Sequence, residues 1–155
     1  MSEPTEVFTR LLHAIDDLDW DSVRACFAER IDLDYTSLWG GTAATVAVDD
    51  LVADWRELAT GFDATQHLTG PFVDVDRDDQ RLTCTTTVRA YHHLVEAGEA
   101  ATWLVAGGYR VRLVREPTGW RIHGITLRLS YESGDRELTT RARERSVQGV
   151  GGRTG

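Results

Sequence analysis

Three histidines stand at the two ends of one stretch, residues 64–93: His67 in ATQHLTG, and His92 with His93 closing LTCTTTVRAYHH. A neutral imidazole is the side chain suited to taking a proton near neutral pH. The first question is therefore which ring faces an interior, and alternation answers it for the adjacent pair. Counting by twos, Leu82, Cys84, Thr86, Val88, Ala90 and His92 share one strand face; Thr83, Thr85, Thr87, Arg89, Tyr91 and His93 share the other. The first set is the more apolar. It turns His92 toward a core and His93 away, provided that no bulge separates them. An imidazole in an apolar cup can be tuned for proton transfer, and the same place also suits an ordinary core histidine. Two other polar groups could enter that interior. Asp16 lies beside Ile15 at the inner edge of an amphipathic segment, and Tyr35 lies on the apolar side of an alternating one. A buried tyrosine hydroxyl needs a partner, either in the core or on a ligand.

The elements that must position these groups follow from periodicity. Residues 3–18 carry Val7, Leu11, Leu12, Ile15 and Leu18 at helical spacing, with Pro4 suited to a first turn and His13 off the apolar stripe. Asp19 or Asp21 caps a second helix over residues 20–27. Residues 31–38 alternate as a strand until Trp39-Gly40-Gly41, and residues 49–60 repeat Leu51, Val52, Trp55 and Leu58 as a helix with Asp49 as its cap. The stretch 64–93 forms strands about the charged turn RDDQ. Residues 101–115 form another strand, with Trp103, Val105, Tyr109, Val111 and Leu113 in phase. The last strand, 120–131, changes phase between Ile122 and Ile125, and Gly124 is the natural site of a bulge. Residues 1–133 are expected to form one α+β domain, a curved antiparallel sheet packed on N-terminal helices as a cone with an open mouth. Residues 134–155 read as a polar tail, a short exposed helix at most and then disorder.

Composition removes several classes of function. A net charge of −8 argues against nucleic acid, whose phosphates need a clustered positive surface. All 17 basic residues are arginine, so Schiff-base chemistry on lysine is excluded. Cys26 and Cys84 have no metal-ligand spacing and read as buried thiols. His67, His92 and Asp16 are possible ligands by type but lack any local ligand spacing, so no metal is expected, and no cofactor. With no leader-like N-terminus and no apolar run long enough to span a bilayer, a cytoplasmic protein without membrane contact is expected.

The strings IDDLDWDSVRACF, ERIDLDYTSLWG, ATQHLTG, TTVRAYHH and TGWRIHGITL, spread over residues 5–131, resemble the SnoaL-like branch of the nuclear-transport-factor-two-like cone fold. Within it the pattern is most similar to scytalone dehydratase. The resemblance implies a cofactor-independent dehydratase, isomerase or cyclase acting on a cyclic or polyketide-like carbonyl compound, the alternative being a non-catalytic ligand-binding or assembly module. It implies catalytic roles for Asp16, Tyr35, His67 and His92. His92 would be the base and Asp16 the carboxylate on its other ring nitrogen; Tyr35 would donate to the carbonyl oxygen, directly or through water, and His67 would hold a leaving hydroxyl or share that role. The chain departs from the pattern at Ile15, where the dehydratase has tyrosine, and near Ala106 and Gly108, where it has serine and asparagine. Trp39, Trp55, Phe62, Leu68 and Trp103 are candidates for an apolar pocket wall, while His93 and His123 are assigned to structure. A buried Asp–His pair without chemistry is costly, which favours an enzyme over a module. The resemblance also implies a homo-oligomer, dimer or trimer, packed through the outer sheet face that carries Thr85, Thr87, Arg89 and Tyr91.

Overall fold

The computed structural model describes residues 3–149. The helix α1 (Pro4–Asp16) buries Val7, Phe8, Leu11, Leu12 and Ile15 on one side, as its spacing predicts. Leu18, at a φ of 57°, turns the chain into α2 (Trp20–Ala25), where Asp19 caps the backbone N–H of Ser22. The strand β1 (Phe27–Asp34) ends earlier than alternation predicts. The Asp34 carboxylate accepts from the Thr36 backbone N–H and hydroxyl, a local turn that competes with extended pairing, and the chain enters the one-turn α3 (Thr36–Trp39). A short strand β2 (Ala44–Ala47), not foreseen, pairs antiparallel with β1 and leads into α4 (Val48–Gly61). Asp49 does not cap α4; it lies in the first turn and pairs with Arg24 at 2.8 Å.

The sheet continues through β3 (Ala64–Thr69), β4 (Val73–Arg77), β5 (Arg81–Glu96), β6 (Glu99–Glu116) and β7 (Gly119–Gly134). Its order is β2-β1-β7-β6-β5-β3, with β4 also on β5. All pairs are antiparallel except β1 with β7. β5 runs unbroken against β6 from Arg81 to Glu96. The alternation therefore holds throughout: Leu82, Cys84, Thr86, Val88 and Ala90 are buried, while Thr87 and Arg89 are exposed. Between Ile122 and Gly124 the β6–β7 register slips by one residue, as the phase change predicts, and it slips again opposite Gly107. Two bulges on one long pair coil the sheet around the helices into an unclosed cone.

The segment beyond residue 133 differs most from its sequence reading. β7 runs on to Gly134, and α5 (Leu138–Val147) is docked, with Leu138 and Ala142 fully buried. Its polar composition hid this because ion pairs hold much of it: Arg141 with Glu96 at 2.6 Å, Arg143 with Asp54 at 2.9 Å and Arg145 with Asp63 at 3.1 Å. The expected disordered end, residues 150–155, lies outside the described residues. No helix among the described residues is long and apolar enough to cross a membrane.

Candidate active site

Asp16 is the last residue of α1, and the helix end sets it against β3. Alternation on β3 sends Thr65 and His67 inward, under that helix end. The Asp16 Oδ1 accepts from the Thr65 hydroxyl at 2.9 Å and from His67 Nδ1 at 2.7 Å, and Oδ2 accepts from the His67 backbone N–H at 2.8 Å. Three donors on one carboxylate fix it in place. Burial pulls the Asp16 carboxyl upward, but its bonds and charge contact with His67, with the Thr65 hydroxyl, outweigh this and hold it below the usual range. An ionised carboxylate can only accept, so His67 Nδ1 carries a proton toward it; in the neutral form of the ring, Nε2 is then the nitrogen with the lone pair.

This pairing corrects the expected one. His92 does face the interior with its ring edge toward His67, 6.2 Å between centroids, but Asp16 bonds His67 instead. The reason lies in register: His92 is directly opposite Trp103 on β6, and its Nδ1 lies 3.1 Å from the Trp103 carbonyl oxygen. A carbonyl also only accepts, so His92 is an Nδ1–H tautomer with a lone pair on Nε2. The ring is sandwiched by Trp103 at 4.6 Å and Phe62 at 5.2 Å between centroids. Burial, with the neighbouring His67, pulls the His92 imidazole down to about 4. It is therefore neutral at physiological pH and a weak base. His93 lies on the outer face with Nδ1 3.1 Å from the Thr102 hydroxyl, away from the site.

The two histidines open into a cavity of about 260 Å³ between α1, α4 and the concave sheet face. Of the expected wall, Trp39, Trp55 and Trp103 line it. Phe62 does not; it is fully buried and supports His92 from behind. Leu68 is 48 % exposed, because the alternation that turns His67 inward turns its neighbour out. Tyr35 lines the cavity from the junction of β1 and α3, its ring edge-on to Trp55 with 6.4 Å between centroids. Neither Ala106 nor Gly108 lines it; the β6 residue that does so beyond the bulge is Tyr109. Tyr109 and Thr65 are site residues that the sequence reading missed. Both had a signal, since Tyr109 was in phase with Trp103 and Thr65 shares the parity of His67. At the rim, Arg143 of α5 meets Asp54 and Glu57 of α4. Among the described residues no three His, Cys, Asp or Glu side chains gather so as to hold a metal ion.

The buried neutral state of His92 has a thermodynamic consequence. Between its ordinary 6.5 and about 4, the unfolded chain binds a proton at this residue that the folded chain does not. Stability should then fall as pH drops through that window, at most by about 1.4 kcal/mol per pH unit. His92→Phe should flatten this limb. Urea unfolding of both proteins at pH 7 and pH 4.5 checks it, and an equal loss in the variant would place the titration elsewhere.

A cone-shaped α+β fold, with an Asp–His pair in a mainly apolar cavity, is the form of a known class of domains. The sequence profile of the SnoaL-like domain matches residues 3–126, and the chain belongs to this family. The Kfla4162 protein of Kribbella flavida is similar over 91 % of this chain and 95 % of its own, with 30 % identity and a TM-score of 0.80. A "Putative Scytalone Dehydratase" from Novosphingobium aromaticivorans shares the fold at 17 % identity, covering 85 % of each chain with a TM-score of 0.74. A hexachlorocyclohexane dehydrochlorinase (LinA) of type 2 does so at 13 % identity, over 84 % of this chain and 85 % of its own, with a TM-score of 0.69. No curated protein matches the sequence.

Proposed function

We propose that the protein is a cofactor-independent dehydratase, or an isomerase or cyclase of the same chemistry, acting on a neutral cyclic carbonyl compound. The observation that carries this reading is the Asp16–His67 pair, 2.7 Å apart, with His67 lining an otherwise mainly apolar cavity. His67 Nε2 takes a proton from the carbon next to the carbonyl, and the C–H electron pair moves into an enolate. Asp16 holds the ring in the productive tautomer and offsets the imidazolium charge. When the enolate collapses, the bond to a β-hydroxyl breaks; that oxygen takes the proton back from His67 and leaves as water. Returning the proton to another carbon of the conjugated system gives isomerisation instead. His92, too weak a base to compete, accepts a hydrogen bond from a ligand hydroxyl at Nε2, and the phenols at the Tyr35 end of the cavity meet the carbonyl oxygen.

The similarity to a dehydratase and to a dehydrochlorinase supports the reading, since both names describe eliminations. A panel of bicyclic β-hydroxy ketones in D₂O, followed by proton NMR, tests it. Exchange of the α-proton or loss of water is expected with the wild type and not with His67→Ala. Tight binding of the panel with neither event would leave a ligand-binding module.

A further inference from the structure

Trp39 lines the cavity and packs on Trp103 with 5.7 Å between ring centroids, yet it is 48 % exposed, whereas Trp103 behind it is 1 % exposed. An indole half in water stands where the cavity meets solvent. It is carried by α3, a helix of four residues that ends at Gly40 and Gly41, with φ of 75° and 74°. A Cβ at either glycine would meet nothing within 4 Å, so neither serves a close approach; both use the left-handed backbone that glycine adopts freely. One turn of helix on such a joint has no interior to stiffen it. What holds α3 comes from β7 and the residues just after it. The Leu129 backbone N–H donates to the Ser37 hydroxyl at 2.8 Å, and Arg136 Nη1 donates to the Leu38 carbonyl oxygen at 2.6 Å. The Arg136 guanidinium also lies over the Trp39 ring, 5.2 Å from its centroid.

Arg136 is itself aimed by Glu132. Its Nε donates to Glu132 Oε1 at 2.9 Å and its Nη2 pairs with Oε2, while Oε1 also accepts from the Trp103 indole Nε1–H at 2.9 Å. A planar fork of donors suits this position, since it serves a carboxylate and a backbone carbonyl at once. Glu132 and Arg136 thus tie the outer indole, Trp39, to the inner one, Trp103, against which His92 is stacked. Both lie beyond residue 126, where the match to the family profile ends. We propose that Trp39 is the gate through which a neutral, flat ring compound enters the cavity, and that Arg136 is the positioning residue that holds this gate shut. Opening swings the indole out on Gly40 and Gly41, exchanging its contact with Trp103 for water. The Arg136 contacts are lost in the same movement, so their strength sets the fraction of time the mouth is open. This goes beyond the reaction proposed above and does not depend on it, because a catalyst and a binding module need the same passage.

The test uses 2-naphthol, a neutral bicyclic phenol, whose binding to the full chain is followed in stopped flow by its own emission. Arg136→Met keeps an apolar stem and removes the charged fork. A latch that acts with and without ligand slows entry and exit alike. The association and dissociation rates should therefore both rise about tenfold, as for loss of a hydrogen bond to a charged group, while their ratio, Kd, stays nearly constant. Arg136→Lys keeps a cation without the fork and should fall between the two; it carries the comparison if Arg136→Met does not fold. Trp39→Ala removes the gate from a half-exposed position, and its association rate should rise at least as far. Adding Arg136→Met to it should then leave that rate unchanged, because the latch has nothing left to hold. A rise in dissociation alone in the Arg136 variants would make the arginine a support of the bound site and not a latch. That result, an unchanged association rate in Trp39→Ala, or a wild-type protein that leaves 2-naphthol unbound would each overturn the proposal. A protein that shows the expected rates but turns over nothing keeps the gate and loses the proposed function.

Discussion

His67→Ala should lower turnover by about 10²–10⁴, the range in which a positioned general base contributes, while leaving the fold intact. Asp16→Asn should fall in the same range for a different reason. An asparagine can turn its NH₂ toward His67 Nδ1, which moves the ring proton to Nε2 and removes the lone pair that does the work. The double variant should be little worse than His67→Ala, because base and orienter are not independent. His92→Ala should be milder, since its ring is held by the Trp103 carbonyl and not by the carboxylate. Rates of α-proton exchange for the four proteins, beside circular dichroism, check the order. A loss confined to His92→Ala would mean that the 2.7 Å contact between Asp16 and His67 is structural.

Gly61→Ala should detach α5. A methyl group at Gly61 would lie 1.7 Å from the Ala142 carbonyl oxygen and 2.4 Å from its carbon, both backbone atoms, so no rotamer change relieves the clash. Forced overpacking of this kind costs about 1–3 kcal/mol when the core can adjust. Here the easier adjustment is for α5 to lift, which exposes Leu138 and forfeits on the order of 1.5–3 kcal/mol of its burial. The same movement takes Arg143 off the cavity rim. Hydrogen exchange should show residues 138–147 deprotected ahead of the sheet, with a lower urea midpoint. Wild-type protection in α5 of the variant would show that the contact takes up the methyl group without α5 lifting.

The long elements were legible because one face of each is buried. β5 keeps strict alternation, so His92 could be placed inward and His93 outward from the sequence alone. The slip beside Gly124 announced itself as a change of phase. The partner of Asp16 was not legible, because it depends on where the end of α1 comes to rest over β3, a tertiary fact that neither segment records by itself. Tyr109 was not marked as a cavity residue for a related reason: an in-phase aromatic on a strand looks the same whether its hydroxyl meets packing or a cavity. α5 was read as exposed because its apolar face amounts to little more than Leu138 and Ala142. The space it fills is made by a glycine on another helix.

The parallel contact between β1 and β7 joins Leu33 to Ile125 and Asp34 to Thr126, while β2 hangs on β1 alone. A chain emerging from the ribosome therefore makes β1 long before it makes the strand that β1 needs. Until β7 arrives, the apolar side of β1 and the inner stripe of α1 have no sheet to close upon. Closing so long a loop is slow by its entropy. The cavity, whose wall includes Ile125 and Leu127 of β7, can therefore close only after the last strand has been made.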